Sequence, residues 1–170
     1  MKRSEQAYEL AYRYERELGA CAQPVIKALQ EIYGEKNDVA FKGLTGFSAG
    51  GANQTDGICG AYAAGIFYLS LKIGRSADDM GKNTDDPNAV AKLYENFDLV
   101  KKLQQTFVQE YGSVICEHIM RKQYGRSYHI EDDDEFKKFD AAGAHDTIET
   151  SICGNAAKWI VEILEEMEVK

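Results

Sequence analysis

Hydrophobic residues recur at helical spacing along most of the chain, and glycines interrupt the pattern. The first run, residues 5–18, ends at Gly19 and places five side chains on one face: Ala7, Leu10, Ala11, Tyr14 and Leu18. The second run, residues 22–33, has Pro24 in its first turn and ends at Gly34; its apolar face is formed by Val25, Leu29 and Ile32. The pattern therefore predicts two helices in the first 34 residues.

The middle of the chain predicts one buried helix and one long amphipathic helix. Residues 57–73 are apolar almost throughout beyond the first turn, which is typical of a helix at the centre of a bundle. A polar linker, residues 75–88, follows. Pro87 then opens a helix that ends before Gly112, and its predicted buried face is Val90, Leu93, Phe97, Val100, Gln104, Phe107 and Tyr111.

The C-terminal part predicts a short helix over 114–124 and a longer one over 152–167. An acidic connector separates them, with one or two helical turns around Phe136 and Phe139. The predicted buried face of the last helix is Ala156, Ile160, Ile163, Leu164 and Met167. No pair of strands is indicated. We therefore expect an all-α fold, a compact multi-helix bundle around the apolar third helix, with residues 1–170 forming a single domain.

Composition and charge narrow the class of protein. The chain has 170 residues, 44% of them hydrophobic, and a formal net charge of −8. No basic stripe offers contacts to a phosphate backbone, so we expect no nucleic-acid partner. The acidic run Glu131–Glu135 lacks the spacing of a calcium loop and is interpreted as a solvated surface. No apolar run reaches the length of a signal peptide or a membrane span, which favours a cytoplasmic protein without membrane insertion.

The cysteines are the main candidates for chemistry, because cytoplasmic thiols stay reduced. Each falls at, or just ahead of, the first turn of a predicted helix: Cys21, Cys59, Cys116 and Cys153. Residues that cap helices stand three positions before three of them: Asp56, Ser113 and Thr150. These positions would place the sulfurs at the positive ends of helix dipoles and favour thiolates. The alternative interpretation is that the cysteines are small core residues.

Spacing argues for a site assembled by folding. The cysteines are tens of residues apart, unlike the close C-x₂₋₄-C pairs of structural zinc or the cysteine runs of ferredoxins. Small residues between Gly60 and Gly65 would let helices approach closely. Of the three histidines, His118 and His145 are candidates for ligands or hydrogen-bond partners of the site, although surface or capping roles are preferred for both, and His129 is expected to be solvated.

The segments around the four cysteines resemble the C-GCAxxG-C-C family of redox-active proteins. The segments are "ACAQPVIKAL", "ICGAYAAGIFYLSLKIG", "FVQEYGSVIC" and "SICGNAAKWIVEIL". The small-residue motif is met loosely, since Ile58 precedes the cysteine and Ala64 replaces an expected glycine. The family resembles a domain of split-Soret cytochromes that carries a two-iron, two-sulfur cluster beside haem. The resemblance implies such a cluster, held by Cys21, Cys59, Cys116 and Cys153; without a C-x-x-C-H motif, no haem is implied.

Electrostatics suits this cluster independently of the resemblance. An all-cysteine iron–sulfur centre is anionic, and four helix N-termini of about +0.5 charge each would offset roughly two charges. Backbone N–H groups of the glycine-rich segment 43–57 are further candidates for hydrogen bonds to sulfur, as in the N–H nests of other iron–sulfur sites.

Three functions remain open at this stage. The first is a redox protein with an iron–sulfur cluster for electron transfer or redox sensing, which requires a redox partner protein. The second is a metal-free thiol oxidoreductase, in which Cys59 lies within disulfide reach of another cysteine. The third is a non-catalytic helical protein whose cysteines hold zinc or fill the core, with Tyr8, Tyr12 and Tyr14 in a homodimer interface. The sequence leaves open whether the protein is an enzyme.

Overall fold

Helices account for the architecture of the part of the chain that the computed structural model describes, residues 1–78, 80 and 87–168. In chain order they are α1 (Arg3–Leu18), α2 (Ala22–Ile32), α3 (Asp38–Gly43), α4 (Gly60–Ile73), α5 (Pro87–Tyr111), α6 (Cys116–Tyr124), α7 (Asp133–Ala141) and α8 (Glu149–Glu168). A 3₁₀ segment (Thr45–Gly50) and a π-helical turn (Ala144–Ile148) join some of them. The all-α prediction is confirmed. Part of the predicted linker, residues 79 and 81–86, lies outside the described residues.

The apolar helix α4 packs against α2, α5 and α8, while α1 lies along α8 and α2. Its small residues make the packing close: a Cβ atom added to Gly65 would lie 2.5 Å from Leu103 Cδ2 and 3.0 Å from Ile160 Cδ1. Both distances are shorter than ordinary van der Waals contacts. The prediction that α4 is central and that its small residues permit close approach is therefore confirmed.

The buried face of α5 differs from the predicted one. Phe97 is 44% exposed and Gln104 is also exposed, whereas Leu99 and Leu103 are buried. The observed stripe is Leu99, Leu103, Phe107 and Tyr111, which recur every four residues. It shares its last two members with the predicted stripe, so the error lies before Phe107, where the series through Leu99 and Leu103 is buried in place of Phe97 and Gln104.

Several helix boundaries also differ from the prediction: α4 begins at Gly60 and α6 at Cys116, both later than predicted. Helix α7 is a full helix and not one or two turns, because Asp132 caps it: the Asp132 Oδ1 atom accepts hydrogen bonds from the backbone N–H groups of Asp134 and Glu135, both at 2.9 Å. Helix α8 begins at Glu149, three residues earlier than predicted, because the π-helical turn leads directly into it.

The tyrosines of α1 make contacts within the chain. Tyr14 is buried, and the Tyr12 hydroxyl donates a hydrogen bond to the Asp146 carbonyl at 2.5 Å. The ring of Tyr8 lies so near Gly154 that a Cβ atom there would be 2.7 Å from Tyr8 Cε2. These contacts account for the aromatic content of α1, and a homodimer through this helix stays a prediction.

At its C-terminal end, α1 departs from the predicted face, because Leu18 is exposed. None of the described helices combines the length and the apolar character that crossing a bilayer requires.

Candidate cysteine site

Three cysteines mark the starts of helices. Cys21 and Cys59 are the N-cap residues of α2 and α4, and Cys116 is the first residue of α6. Cys153 lies inside α8, which begins at Glu149. The predicted position at a helix start is therefore confirmed for three cysteines and wrong for Cys153.

The predicted capping residues do not cap these helices. The Ser113 Oγ atom accepts a hydrogen bond from the Ile115 N–H at 3.0 Å, before α6 begins. Thr150 lies inside α8, and its buried hydroxyl has no partner among the described residues. Asp56 is exposed, and α4 begins only at Gly60, with Cys59 itself as the N-cap residue. The capping prediction was wrong because it placed the helix starts two to three residues from their observed positions.

A short antiparallel bridge between Ile58 and Ile115 joins the segments before α4 and α6. The Cys59 N–H donates to the Val114 carbonyl at 2.8 Å, and the Cys116 N–H donates to the Gly57 carbonyl at 2.9 Å. In this pairing the two cysteines are diagonal neighbours on the same face, a relation that separates Cα atoms by about 7–8 Å. The bridge thus fixes the positions of two thiols relative to each other.

Gly60 brings a third cysteine to the same place. A Cβ atom added to Gly60 would lie 2.3 Å from Cys21 Sγ and 2.7 Å from the Phe47 carbonyl oxygen. The thiol of Cys21 therefore rests against the first turn of α4, directly after Cys59. This contact explains why a residue without a side chain follows Cys59.

Cys153 is buried more deeply than the other three cysteines. It is fully buried, and its Sγ atom donates to the Cys21 carbonyl at 3.5 Å. The structure therefore brings together Cys21 and Cys59 through Gly60, Cys59 and Cys116 through the bridge, and Cys153 and Cys21 through this contact. All four are free thiols.

The glycine-rich segment wraps the site and supplies one N–H donor. Ala49 has a left-handed conformation with φ of 45°, and its N–H donates to Cys21 Sγ at 3.5 Å. Two glycines permit the wrap, since a Cβ atom on Gly57 would lie 2.0 Å from the Gly50 carbonyl oxygen. The expected hydrogen bond from this segment to sulfur is confirmed at Ala49.

A cavity of about 590 Å³ opens beside the thiols. Cys21, Cys59 and Cys116 lie on its wall, and Cys153 does not. The remaining wall includes Glu15 from α1, Glu149 and His145, the 3₁₀ segment, and apolar side chains of α6, α7 and the connector before α7: Met120, Ile130, Phe136 and Phe139.

Comparison with known proteins agrees with this four-cysteine arrangement. The family model described as "Putative redox-active protein (C_GCAxxG_C_C)" matches residues 20–167, a span that includes all four cysteines. The chain belongs to this family. The resemblance seen in the sequence is thereby confirmed, and with it the coarser functional prediction of a four-cysteine, redox-active protein. No curated protein and no solved structure shows significant similarity to the chain.

Burial has the largest effect on the pKa values of the four cysteines. It raises the pKa of all four thiols, that of Cys59 to about 12. The N–H groups of Tyr62 and Ala61, in the first turn of α4, act in the opposite direction and lower the Cys59 pKa, but by less. The prediction that helix dipoles make these thiols thiolates was therefore wrong, because the loss of hydration outweighs the dipole.

Two glutamates at the cavity were not predicted. Glu15 is 3% exposed, and its Oε2 atom has no hydrogen-bond partner among the described residues. Burial raises the Glu15 pKa to about 8, and the nearby Glu149 contributes to the shift. Burial also raises the Glu149 pKa to about 6, although the Tyr124 hydroxyl, which donates to Glu149 Oε1 at 3.1 Å, acts against it. A sequence signal for Glu15 existed: it stands four residues after the buried Ala11.

The three histidines lie in different environments. His145 is partly buried at the cavity, where its Nδ1 atom lies 2.8 Å from Asp140 Oδ1. His118 is exposed, with its Nδ1 atom 3.2 Å from Ser113 Oγ, and His129 is exposed. His145 therefore belongs to the cavity, while the other two lie on the surface.

The four sulfurs are not gathered around a single point. Across residues 1–78, 80 and 87–168, no group of three or more His, Cys, Asp or Glu side chains is arranged to hold one metal ion. The contacts described above join the cysteines two at a time, through Gly60, the bridge and the Cys21 carbonyl.

Proposed function

We propose that Cys21, Cys59, Cys116 and Cys153 bind a two-iron, two-sulfur cluster, through which the protein transfers electrons or senses redox state. The observation that carries the proposal is the convergence of four free, buried thiols from distant parts of the chain. Family membership supports a redox role for these cysteines. A redox partner protein is part of the proposal.

The four cysteine thiols match the number and the type of ligands that a two-iron, two-sulfur cluster needs. An all-cysteine two-iron cluster takes four thiolates, two on each iron, so its ligands are spread over two centres. Pairwise neighbours such as Cys59 and Cys116, diagonal across the bridge, suit two centres better than the one point that a tetrahedral zinc ion requires. The cluster would supply one-electron chemistry when bound.

Backbone N–H groups next to two of the sulfurs are suited to an anionic group. The N–H of Ala49 already donates to Cys21 Sγ, and the N–H groups of Ala61 and Tyr62 point toward Cys59. Such N–H donors stabilise cluster sulfur and help set its reduction potential. Since the thiols must lose their protons to bind iron, loading would release protons and occur more readily as the pH rises.

The test is purification of the full chain under strictly anaerobic conditions, followed by reconstitution with iron and sulfide. We expect a brown protein with visible absorbance and two iron and two sulfide per chain. A colourless protein that resists reconstitution contradicts the proposal. Zinc at one ion per chain, without sulfide, would instead support the structural-metal alternative.

A further inference from the structure

The cavity beside the thiols is larger than a cluster needs. A four-atom cluster occupies on the order of 100 Å³ if each atom takes up about the volume of a water molecule in the liquid. The cavity measures about 590 Å³, which is within the usual range of small-molecule sites, about 300–1,000 Å³. Most of this space lies beyond the sulfurs.

The polar part of the cavity wall favours a cation. Glu15 and Glu149 are both on the wall, and the Glu15 carboxyl is almost fully buried with one oxygen that has no partner among the described residues. A buried polar atom without a partner costs free energy that a bound donor would recover. Among the described residues on the wall there is no lysine or arginine, and His145 is beside Asp140. An organic anion in the space beside the thiols would therefore find little to bind.

The rest of the wall favours an organic molecule over a metal ion. No three metal-ligating side chains are arranged around one point in the part of the chain described. The same cavity is also lined by Met120, Ile130, Phe136 and Phe139. Phe136 remains 43% exposed at this wall, although it is a large apolar side chain. Aromatic rings next to carboxyl groups that a bound cation would hold ionised are suited to a cation that has an apolar body.

We propose that this cavity binds a small organic cation, with an amine or amidine group at Glu15 and Glu149 and an apolar body against Phe136 and Phe139. The observations that carry the proposal are the unpartnered buried carboxyl oxygen, the second carboxyl and the aromatic wall, all at one cavity. The site shares its wall with Cys21, Cys59 and Cys116, but its proposed ligands are the carboxyls and aromatic rings and not the thiols.

The experiment is calorimetric titration of the reduced full chain with three probes of similar shape and different charge: benzamidine, benzamide and benzoate. Benzamidine is expected to bind with one site per chain. Benzamide, its neutral counterpart, should bind at least tenfold more weakly, and benzoate should not bind. Equal binding of benzamidine and benzamide, or no binding of benzamidine, would overturn the proposal.

Matched variants locate the site. Glu149→Gln should weaken benzamidine at least tenfold, whereas Glu162→Gln, on the same helix but away from the cavity, should leave its affinity within twofold. Phe136→Ala should weaken it severalfold, whereas Phe97→Ala, which removes a ring of similar exposure on α5, should not. Both phenylalanines are half exposed, so these two variants are expected to fold. If each control variant loses as much affinity as its partner, the cavity is not the binding site.

Titration of the chain before and after iron–sulfur reconstitution separates the two proposals. Benzamidine binding to a chain that takes up no iron would support the cation site and contradict the cluster. Stoichiometric iron and sulfide without any benzamidine binding would support the cluster and overturn the cation site.

Discussion

Replacing Gly60 by alanine tests whether the close contact between Cys21 and α4 builds the site. The new methyl group would lie 2.3 Å from Cys21 Sγ and 2.7 Å from the Phe47 carbonyl oxygen. The thiol can rotate away only by leaving its place beside Cys59, and the carbonyl belongs to the backbone. Overpacking of this kind costs about 1–3 kcal/mol, while alanine in a helix regains about 0.5–1 kcal/mol relative to glycine.

The net expectation for Gly60→Ala is a loss of about 1–2 kcal/mol in the free energy of unfolding. With a urea m-value near 2 kcal/mol/M, the unfolding midpoint should fall by roughly 0.5–1 M. The unfolding is best measured on reduced, iron-free protein, because a bound cofactor breaks two-state behaviour. Iron and sulfide uptake, measured separately, should fall with the displacement of Cys21.

Gly43→Ala is the matched control, because a Cβ atom there meets nothing within 4 Å and Gly43 also belongs to a helix. Its midpoint should stay equal to that of the wild type or rise slightly. The reasoning is refuted if Gly60→Ala retains the wild-type midpoint and takes up iron normally, since the contact would then have no structural consequence.

Three further predictions follow from single residues. Cys59→Ala should abolish iron and sulfide uptake in reconstitution assays. Val114→Ala, which shortens a side chain next to the bridge without removing a thiol, should retain both. Iron at the wild-type level in Cys59→Ala would contradict the ligand role of Cys59. Thr150→Val should raise the urea midpoint, because it removes a buried hydroxyl without a described partner, worth about 1–3 kcal/mol; a lower midpoint would show that the hydroxyl is satisfied. Asp132→Ala should speed amide hydrogen exchange in α7, and wild-type α7 should lose the same protection on acidification. The two N–H groups hold the pKa of Asp132 below its ordinary value. The stabilisation of α7 by this cap is therefore present above the unfolded-state pKa, about 3.9, and is lost as the pH falls through the folded-state pKa.

Periodicity and glycine positions were sufficient to predict most helices. The span Pro87–Tyr111 was predicted to the residue, because a proline opens it and Gly112 follows it. Its buried face before Phe107 was not predicted, since Phe97 and Leu99 belong to two different stripes and only the neighbours of α5 in the bundle decide between them. Sequence periodicity alone contains no information about those neighbours.

The sequence predicted that the four cysteines form one site, but it did not predict their protonation state. The common setting of the cysteines indicated one site, and the structure brings them together in pairs. The protonation state could not be predicted, because it depends on burial, which raises the pKa of Cys59 to about 12 despite its place at a helix start. Glu15 was missed although it stands four residues after Ala11, because a glutamate on a helix of many charged residues is ordinarily expected to be exposed.

The contact between Cys153 and the Cys21 carbonyl joins residues 132 positions apart. Closing such a long loop is entropically costly, and contacts of this range form only after the elements between them have packed. A ribosome must therefore synthesise the chain through Cys153 before the fourth thiol can reach the other three. Assembly of the cysteine site thus has to wait for the first residues of α8, and a complete site is a marker that α8 has docked on α2.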